Sequence, residues 1–340
     1  IASVDAYYML DEGLGYIKIN KFAATTYDEF KVALDDLLDQ GMKKLVLDLR
    51  HNPGGYLQVA TQIIDEFLED DKLIVFTKNK KDKIDEIFAT DKGDFEDGHV
   101  FVLINGASAS ASEIVAGALQ DNDKGTIVGR RSFGKGLVQQ EMQLGDGSAV
   151  RLTVSRYYTP TGRSIQKPYD HKGDGEYFND FEKRFHDGEL MSADSIKVND
   201  SLKYVTPKGK IVYGGGGITP DVFVSIDTTI YFQDFHYQRT REFVFQYFDD
   251  HVDEFNDWTY DRFVNDFDRD NHIFKEYMAT VPSEYQKLDA EEEKNLKLYI
   301  KAVFAQQVFD INAYFKIINQ QDKMLDKVIE LDKLGYPLEP

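Results

Sequence analysis

Short apolar runs alternate with segments of helical periodicity through the first part of the chain. Six such runs predict strands, at Gly15–Asn20, Lys44–Arg50, Leu73–Thr77, Val100–Ile104, Thr126–Val128 and Ala149–Tyr158. Apolar residues spaced three and four apart predict helices that begin near Thr26 and that cover Leu57–Leu68 and Ala111–Gln120. This order of strand, helix and strand predicts an α/β (α+β) core, a mixed sheet flanked by helices.

The signals at segment ends sharpen this prediction. Thr26 with Glu29 three residues later is typical of a capping box at a helix start, and Gly41 suits its left-handed C-cap. The Lys- and Asp-rich segment Lys78–Asp97 indicates a solvated hairpin or loop.

The second half of the chain changes character twice. Residues 167–213 are polar and weakly periodic, which predicts an insertion into the core. From about Thr229 glycine nearly vanishes, aromatic and acidic residues multiply, and a helical stripe follows, formed by Leu296, Ile300, Val303, Val308, Ile311, Phe315 and Ile318. We therefore predict two domains, a core over 1–228 that contains the insertion and an all-helical C-terminal domain over 229–340.

Composition excludes several classes of function. The 340 residues carry 60 acids against 40 bases, a net charge of −20, which disfavours nucleic acid as a partner. Cysteine is absent, so a thiol nucleophile, thiolate metal sites and disulfides are ruled out. No apolar run reaches the roughly 18 residues of a membrane span. The chain opens at Ile1 with no signal peptide before it, and we expect an excised fragment or a mature product.

A serine cluster, Ser108-Ala-Ser-Ala-Ser-Glu113, stands where a helix is predicted to begin. Serine is a favoured N-cap and glutamate suits the first turn, so capping alone explains the pattern. A serine there can also be a nucleophile, because the free N–H groups of a helix start can hold an oxyanion. It then needs a base, and none of the seven histidines stands in a paired spacing. A buried, neutral lysine can also serve as the base. Lys135 lies between two glycines and is a candidate, although most lysines in turns are simply solvated.

A competing motif overlaps that lysine. Gly129–Lys135 matches the first seven positions of a phosphate-binding P-loop and follows a predicted strand. The eighth position is Gly136, where a P-loop needs Ser or Thr to hold magnesium. The departure falls at a functional position and argues against nucleotide binding.

Several ordered motifs together resemble the carboxyl-terminal processing (tail-specific) serine protease family. They are Asp48-Leu-Arg50, Asn52-Pro-Gly-Gly55, Asn105-Gly106, the serine cluster, Gln120-Asp121, Phe133-Gly-Lys-Gly136 with Gln139, Tyr158-Thr-Pro-Thr-Gly162 and Gly217-Ile-Thr-Pro-Asp221. The resemblance covers residues 15–165 and 214–226. It implies a protease fold for the core.

The resemblance also assigns roles to residues. It implies that Ser110 is the nucleophile, that Lys135 is its general base, and that Gln139 orients the lysine. It places the oxyanion donors at the backbone N–H groups of Gly55 and Ala111. No metal and no cofactor is implied.

Other residues of the motifs receive supporting roles. Asp121 matches a recurrent family aspartate, for which we predict a structural role, and Ser108 and Ser112 are predicted to be caps.

Two features depart from the family pattern. A peptide-binding PDZ domain normally accompanies the core, and nothing before Gly15 is long enough to be one, so we expect weak cleavage by this fragment. The insertion and the helical tail lie outside the common core. Tail helices in such proteases can build homo-oligomers, whereas a helical cap packed on the core explains them equally well.

The predicted function is a serine endopeptidase that cleaves proteins near unstructured C-termini with a Ser–Lys dyad. Its partners would be protein or peptide substrates, and the resemblance places it in the bacterial cell envelope, the periplasm. The alternative is a catalytically silent peptide- or protein-binding module on the same scaffold. Convergence of Ser110 and Lys135 in one accessible cleft distinguishes the two.

Overall fold

The computed structural model describes residues 2–168, 180–229 and 232–336. Two compact units divide the chain: the first takes the residues up to Ser225 together with the chain from Lys327 onward, and the second is Ile226–Asp326. The predicted division at residue 229 puts the whole C-terminal segment in one domain. The structure instead assigns the last helix largely to the first unit, where Lys44 Nζ lies 2.6 Å from Asp332 Oδ1.

The first unit is built on a mixed sheet. Its strands are β1 (Val4–Asp11), β2 (Leu14–Ile19), β3 (Lys44–Asp48), β6 (His99–Ile104), β7 (Gly125–Gly129) and β12 (Val222–Phe223). They lie in the order β1-β2-β3-β6-β7-β12 within the described residues, with β1 antiparallel to β2 and every other pair parallel. The near-continuous apolar runs of β3, β6 and β7 are buried, as expected of parallel strands covered on both faces.

Three helices pack with this sheet: α1 (Thr26–Asp39), α2 (Leu57–Asp65) and α3 (Ala111–Asp121). Their apolar faces join the strands in one core, to which they contribute Phe30, Leu34, Leu37, Ile63, Ile64, Val115 and Leu119. Every residue of α3 is buried. The predicted mixed sheet with flanking helices is therefore confirmed.

The capping box predicted at the start of α1 is wrong. Thr25 is the N-cap, and the Glu29 carboxylate instead accepts hydrogen bonds from the backbone N–H groups of Ser3 and Val4, at 2.6 and 2.9 Å. The glutamate thus fastens the helix to the edge of β1 rather than capping its own helix.

A second, antiparallel sheet contains β4 (Leu73–Asn79), β5 (Ile84–Phe88), β8 (Leu137–Gln143) and β9 (Ala149–Tyr158) in the order β5-β4-β9-β8. For Lys78–Asp97 the sequence predicts a hairpin or loop, and the pairing of β4 with β5 shows a hairpin whose first strand begins earlier, at Leu73. The predicted insertion at 167–213 contains α4 (Asp180–His186), the short 3₁₀ turns Ala193–Ser195 and Asp200–Leu202, and the hairpin of β10 (Lys203–Val205) with β11 (Ile211–Tyr213). Residues 169–179 of the insertion lie outside the described residues.

The second unit is helical and its core is rich in aromatic side chains. Its helices are α5 (Asp234–Asp250), α6 (Val252–Phe255), α7 (Tyr260–Asp266), α8 (His272–Ala279), α9 (Ala290–Val308) and α10 (Ile311–Ile318), and α11 (Lys323–Lys333) crosses the unit boundary. The predicted stripe is interrupted, because α9 ends at Val308 and Asp310 caps a new helix by accepting from Ala313 N–H. Leu296, Ile300 and Val303 are buried, whereas Ile311 is exposed.

A buried ion pair ties the end of α3 to the turn after β9. Asp121 Oδ1 lies 2.7 Å from Arg163 Nη2 and both side chains are fully buried. Asp121 Oδ2 accepts hydrogen bonds from the N–H and hydroxyl of Thr161. This pair supports a structural role for Asp121.

We predict that Arg163→Met lowers the free energy of unfolding by about 3–5 kcal/mol, because it leaves the Asp121 carboxylate buried without its cation. Urea unfolding followed by circular dichroism measures the loss. Arg156→Met, on the exposed side of β9, is the control and should change stability by less than about 0.5 kcal/mol. Equal stability of the two variants would contradict the structural role.

Candidate active site

Three loops meet at the carboxyl ends of adjacent parallel strands. The glycine loop (His51–Gly55) follows β3, the serine turn (Asn105–Ser110) follows β6 and leads into α3, and the lysine loop (Arg131–Gly136) follows β7. Because β3, β6 and β7 are neighbours in the sheet, their loops are brought to one edge. The sheet order therefore places every segment that carries the predicted chemistry side by side.

Ser110 is half-buried at the N-cap of α3 in a strained backbone conformation. Its φ of 56° and ψ of −113° lie in a region that residues with a side chain rarely adopt. Such strain persists only where the surroundings fix it, and it is typical of functional turns.

The surroundings of Ser110 come from Asn52 and the two flanking serines. The Asn52 carbonyl accepts hydrogen bonds from Ala109 N–H at 3.0 Å and from the Ser112 hydroxyl at 2.9 Å. The Ser108 hydroxyl donates to the Leu49 carbonyl at 2.8 Å. The prediction that Ser108 and Ser112 are caps is therefore wrong: both are buried tethers between the serine turn and the segment that follows β3.

The glycine loop approaches the nucleophile position closely. A Cβ on Gly54, whose φ is +99°, would lie 2.8 Å from both Ser110 Cβ and Ala111 N. Gly54 N–H is already used by Asn52 Oδ1, at 2.8 Å. Among the described residues, the N–H groups of Gly55 and Ala111 donate to no protein acceptor. Both groups predicted as oxyanion donors are thus free to donate.

The Glu113 carboxylate joins the serine turn to the lysine loop. Its Oε2 accepts hydrogen bonds from Ser110 N–H at 2.9 Å and from Lys135 N–H at 2.8 Å. Its Oε1 accepts from Gly134 N–H at 2.7 Å and from the Ser132 hydroxyl at 2.5 Å. One buried anion therefore fixes the backbones of Ser110 and Lys135 around a single oxygen.

Burial raises the pKa of Glu113 above its ordinary value, while the four donors act in the opposite direction. The sequence showed Glu113 only as a first-turn acid in a Ser-x-x-Glu pattern. This pattern is that of a capping box, and Glu113 makes its part of the box through the bond from Ser110 N–H. The bonds to the lysine loop span 19 to 22 positions and have no sequence signal.

Tyr157 provides a second link between the two loops. Its hydroxyl lies 2.6 Å from the Lys135 carbonyl oxygen and 3.2 Å from that of Ser110, and its ring is buried at the end of β9. Sequence reasoning missed this residue because it reads as one more apolar position of a strand.

Gln139 makes no hydrogen bond to Lys135 among the described residues. It is exposed on β8, paired with Thr153 of β9 just after a register shift between Val138 and Gln139. Within the described part of the chain its side chain has no hydrogen-bond partner. The orienting role of Gln139 stays a prediction.

The lysine loop does not form a phosphate cradle. The N–H groups of Gly134 and Lys135, which a P-loop would offer to phosphate, both donate to Glu113. Strand β8 follows the loop where a P-loop would begin a helix. The structure therefore agrees with the argument against nucleotide binding.

Two negative findings hold for residues 2–168, 180–229 and 232–336. No group of three or more His, Asp or Glu side chains there is arranged to hold a metal ion. None of the helices there combines the length and apolar character needed to cross a bilayer.

Comparison with known proteins matches two parts of the chain to two family models. The family model described as Peptidase family S41 matches residues 13–172, and one described as a family of unknown function, DUF8443, matches residues 231–310. The carboxy-terminal-processing protease of Bartonella bacilliformis is 44% identical over 164 residues, which are 47% of this chain and 38% of that protein. The carboxyl-terminal-processing protease of a Picosynechococcus species is 44% identical over 156 residues, 46% of this chain and 37% of that protein.

A plant protein and a solved structure are also similar. Carboxyl-terminal-processing peptidase 1 of Arabidopsis thaliana chloroplasts is 37% identical over 152 residues, 45% of this chain and 31% of that protein. The photosystem II D1 C-terminal processing protease, a solved structure, aligns at 28% identity with a TM-score of 0.46 over 66% of this chain and 46% of its own. The match spans less than two fifths of the length of these curated relatives.

We predict that Tyr157→Phe lowers the free energy of unfolding by about 1 kcal/mol, because the carbonyls of Ser110 and Lys135 lose their shared donor. Tyr158→Phe is the matched control, since its ring stacks on Phe76 at a centroid distance of 5.0 Å. No hydrogen bond of its hydroxyl is present among the described residues, and we expect less than about 0.3 kcal/mol of change. Equal unfolding midpoints in urea would show that the Tyr157 hydroxyl bridges nothing of consequence.

Proposed function

We propose that the chain, which matches Peptidase family S41 over residues 13–172, is a serine endopeptidase acting through Ser110 and Lys135. The observation that carries the proposal is the Glu113 carboxylate oxygen that accepts from the backbone N–H of both residues. These two hydrogen bonds place the strained Ser110, at the start of α3, beside the lysine loop at the carboxyl ends of the parallel strands. Both side chains are half-buried, so each can reach a substrate and still be partly shielded from water.

In the proposed reaction, Ser110 Oγ attacks the carbonyl carbon of the scissile peptide while the Lys135 amine takes the hydroxyl proton. The carbonyl oxygen becomes the oxyanion of a tetrahedral intermediate, and the free N–H groups of Gly55 and Ala111 stabilise it. The resulting ammonium of Lys135 returns the proton to the leaving amine, which breaks the C–N bond and leaves an acyl ester on Ser110. Water then attacks the acyl carbon while the same lysine takes its proton. The bond from that carbon to Ser110 Oγ breaks, the lysine returns the proton to Ser110, and the new carboxyl terminus leaves.

We propose protein substrates cleaved near unstructured C-termini. Support comes from the relatives named carboxyl-terminal-processing proteases in Bartonella bacilliformis and Picosynechococcus. A location in the bacterial cell envelope is proposed from the same resemblance. Self-association through the helical tail also stays a proposal, and exposed Tyr237, Phe245 and Val252 are side chains that it would cover.

The alternative is a catalytically silent binding module on the same scaffold. The observation that favours it is Gln139, which is exposed on β8 and makes no hydrogen bond to Lys135 among the described residues. The two proposals differ in whether Ser110 reacts with an activated phosphorus or carbonyl centre.

We predict that the chain hydrolyses an unfolded protein substrate and reacts with a fluorophosphonate at Ser110. Ser110→Ala and Lys135→Met should each lower turnover by at least about a thousandfold, because one removes the nucleophile and the other its base. Ser148→Ala, in the exposed turn between β8 and β9, is the control and should retain turnover. Mass spectrometry locates the adduct and gel-based proteolysis follows turnover.

A soluble, folded wild-type chain that binds unfolded peptides without cleaving them or labelling at Ser110 would establish the binding module. Full proteolysis by Ser110→Ala would refute the dyad.

A further inference from the structure

The lysine loop is held on two sides by opposite charges. Its N–H groups at Gly134 and Lys135 face the Glu113 carboxylate. Its carbonyls face the guanidinium of Arg184, whose Nη1 donates to Ser132 O at 2.8 Å and to Arg131 O at 3.3 Å, and whose Nη2 lies 3.5 Å from Phe133 O. The Phe133–Gly134 peptide therefore has its carbonyl oxygen toward a buried cation and its N–H toward a buried anion.

Arg184 is contributed by the insertion and not by the common core. It lies on α4, where its neighbours Phe181, Lys183 and Phe185 are exposed while Arg184 itself is only 4% exposed. A surface helix thus buries one charged side chain, and buries it against the segment that leads directly into Lys135.

Acidic side chains of the insertion compensate the charge of Arg184. Its Nε lies 2.9 Å from Asp180 Oδ2 and 3.9 Å from Glu189 Oε1. Glu189 in turn accepts from Arg131 Nε at 2.7 Å. Because Glu189 is shared between Arg131 of the loop and Arg184 of α4, the loop and the insertion form one ionic cluster.

Lys167 adds a further contact between the insertion and the lysine loop. The Lys167 ammonium lies 3.9 Å from the centroid of the Phe133 ring and 3.3 Å from Asp180 Oδ2. Every residue of the loop from Arg131 to Phe133 is therefore contacted by a charged group from residues 167–189.

We propose that this insertion is part of the catalytic apparatus and that Arg184 is a positioning residue, which holds the lysine loop where Lys135 reaches Ser110. The inference rests on the proposed dyad. Lys135 is two residues from Phe133, so a shift of the loop carries the base with it, and a displacement of about 1 Å can lower turnover by roughly a hundredfold. Arginine suits the task because one planar guanidinium offers donors to several carbonyls at once, whereas a lysine offers a point charge.

The experiment compares Arg184→Met, Arg184→Lys and the matched control Lys183→Met, which changes an exposed lysine on the same helix. Turnover of an unfolded substrate gives kcat and KM, and hydrogen exchange reports on the lysine loop independently of turnover. The exchange readout is well defined, since Ser132 N–H donates to Ile218 O, Phe133 N–H to Ser108 O, and the next two amides to Glu113.

For Arg184→Met we expect kcat to fall by about a hundredfold with KM changed less than about threefold, and amides of the lysine loop to exchange at least about tenfold faster. Arg184→Lys should recover part of kcat, and Lys183→Met should match the wild type. Wild-type kcat or unchanged loop exchange in Arg184→Met would overturn the inference.

The two proposals fail differently. If the wild-type chain shows no turnover that depends on Ser110, the proposed function fails, and loop exchange in the variants still decides whether Arg184 holds the loop. If Arg184→Met does not fold, the Arg184→Lys variant decides, since it keeps the charge and loses the fork of donors: wild-type kcat and loop exchange in that variant would overturn the inference.

Discussion

The buried carboxylate of Glu113 is the interaction on which the geometry of the site depends. An isolated carboxylate in a protein interior is costly by several kcal/mol unless hydrogen bonds replace its water. Here four donors from two segments replace that water: Ser110 N–H from the serine turn, and the Ser132 hydroxyl with the N–H groups of Gly134 and Lys135 from the lysine loop. The hydrogen bonds to the carboxylate fix the positions of the four donors. The same bonds offset the desolvation cost of the buried carboxylate. The position at the start of α3 adds the favourable end of the helix dipole.

That convergence is possible only because of the order of strands in the sheet. The serine turn leaves β6, the lysine loop leaves β7, and the glycine loop leaves β3, and these strands are parallel neighbours. Parallel neighbours deliver their loops to one edge, where a helix start can meet them. Burial of α3 on all its faces then leaves its first turn little freedom to move, so the strain at Ser110 is supported by the whole core.

Much of this arrangement follows from the sequence, since apolar runs and helical spacing locate the strands and helices that carry the loops. Long-range partners do not. Glu29 and Glu113 both stand in capping-box patterns. Glu29 instead binds the backbone at the start of β1, and Glu113 joins the serine turn to the lysine loop, because each carboxylate accepts hydrogen bonds from whichever donors the fold places next to it. Arg184 lies in a segment rich in charges of both signs, which composition alone assigns to solvent. Its burial depends on carbonyls some 50 positions earlier in the chain.

The partial P-loop pattern shows the same limit at the level of chemistry. Gly134 has a φ of +89°, and the loop turns consecutive N–H groups toward an anion, as the glycines of a P-loop do. The pattern encodes an anion-binding backbone but not the identity of the anion. In a P-loop the anion is a phosphate of the ligand, whereas here it is a carboxylate of the chain itself, 22 positions before Lys135. Because that internal anion occupies the backbone donors, the Lys135 side chain is not needed to neutralise a phosphate. It is the part of the loop that remains available to a neighbouring serine.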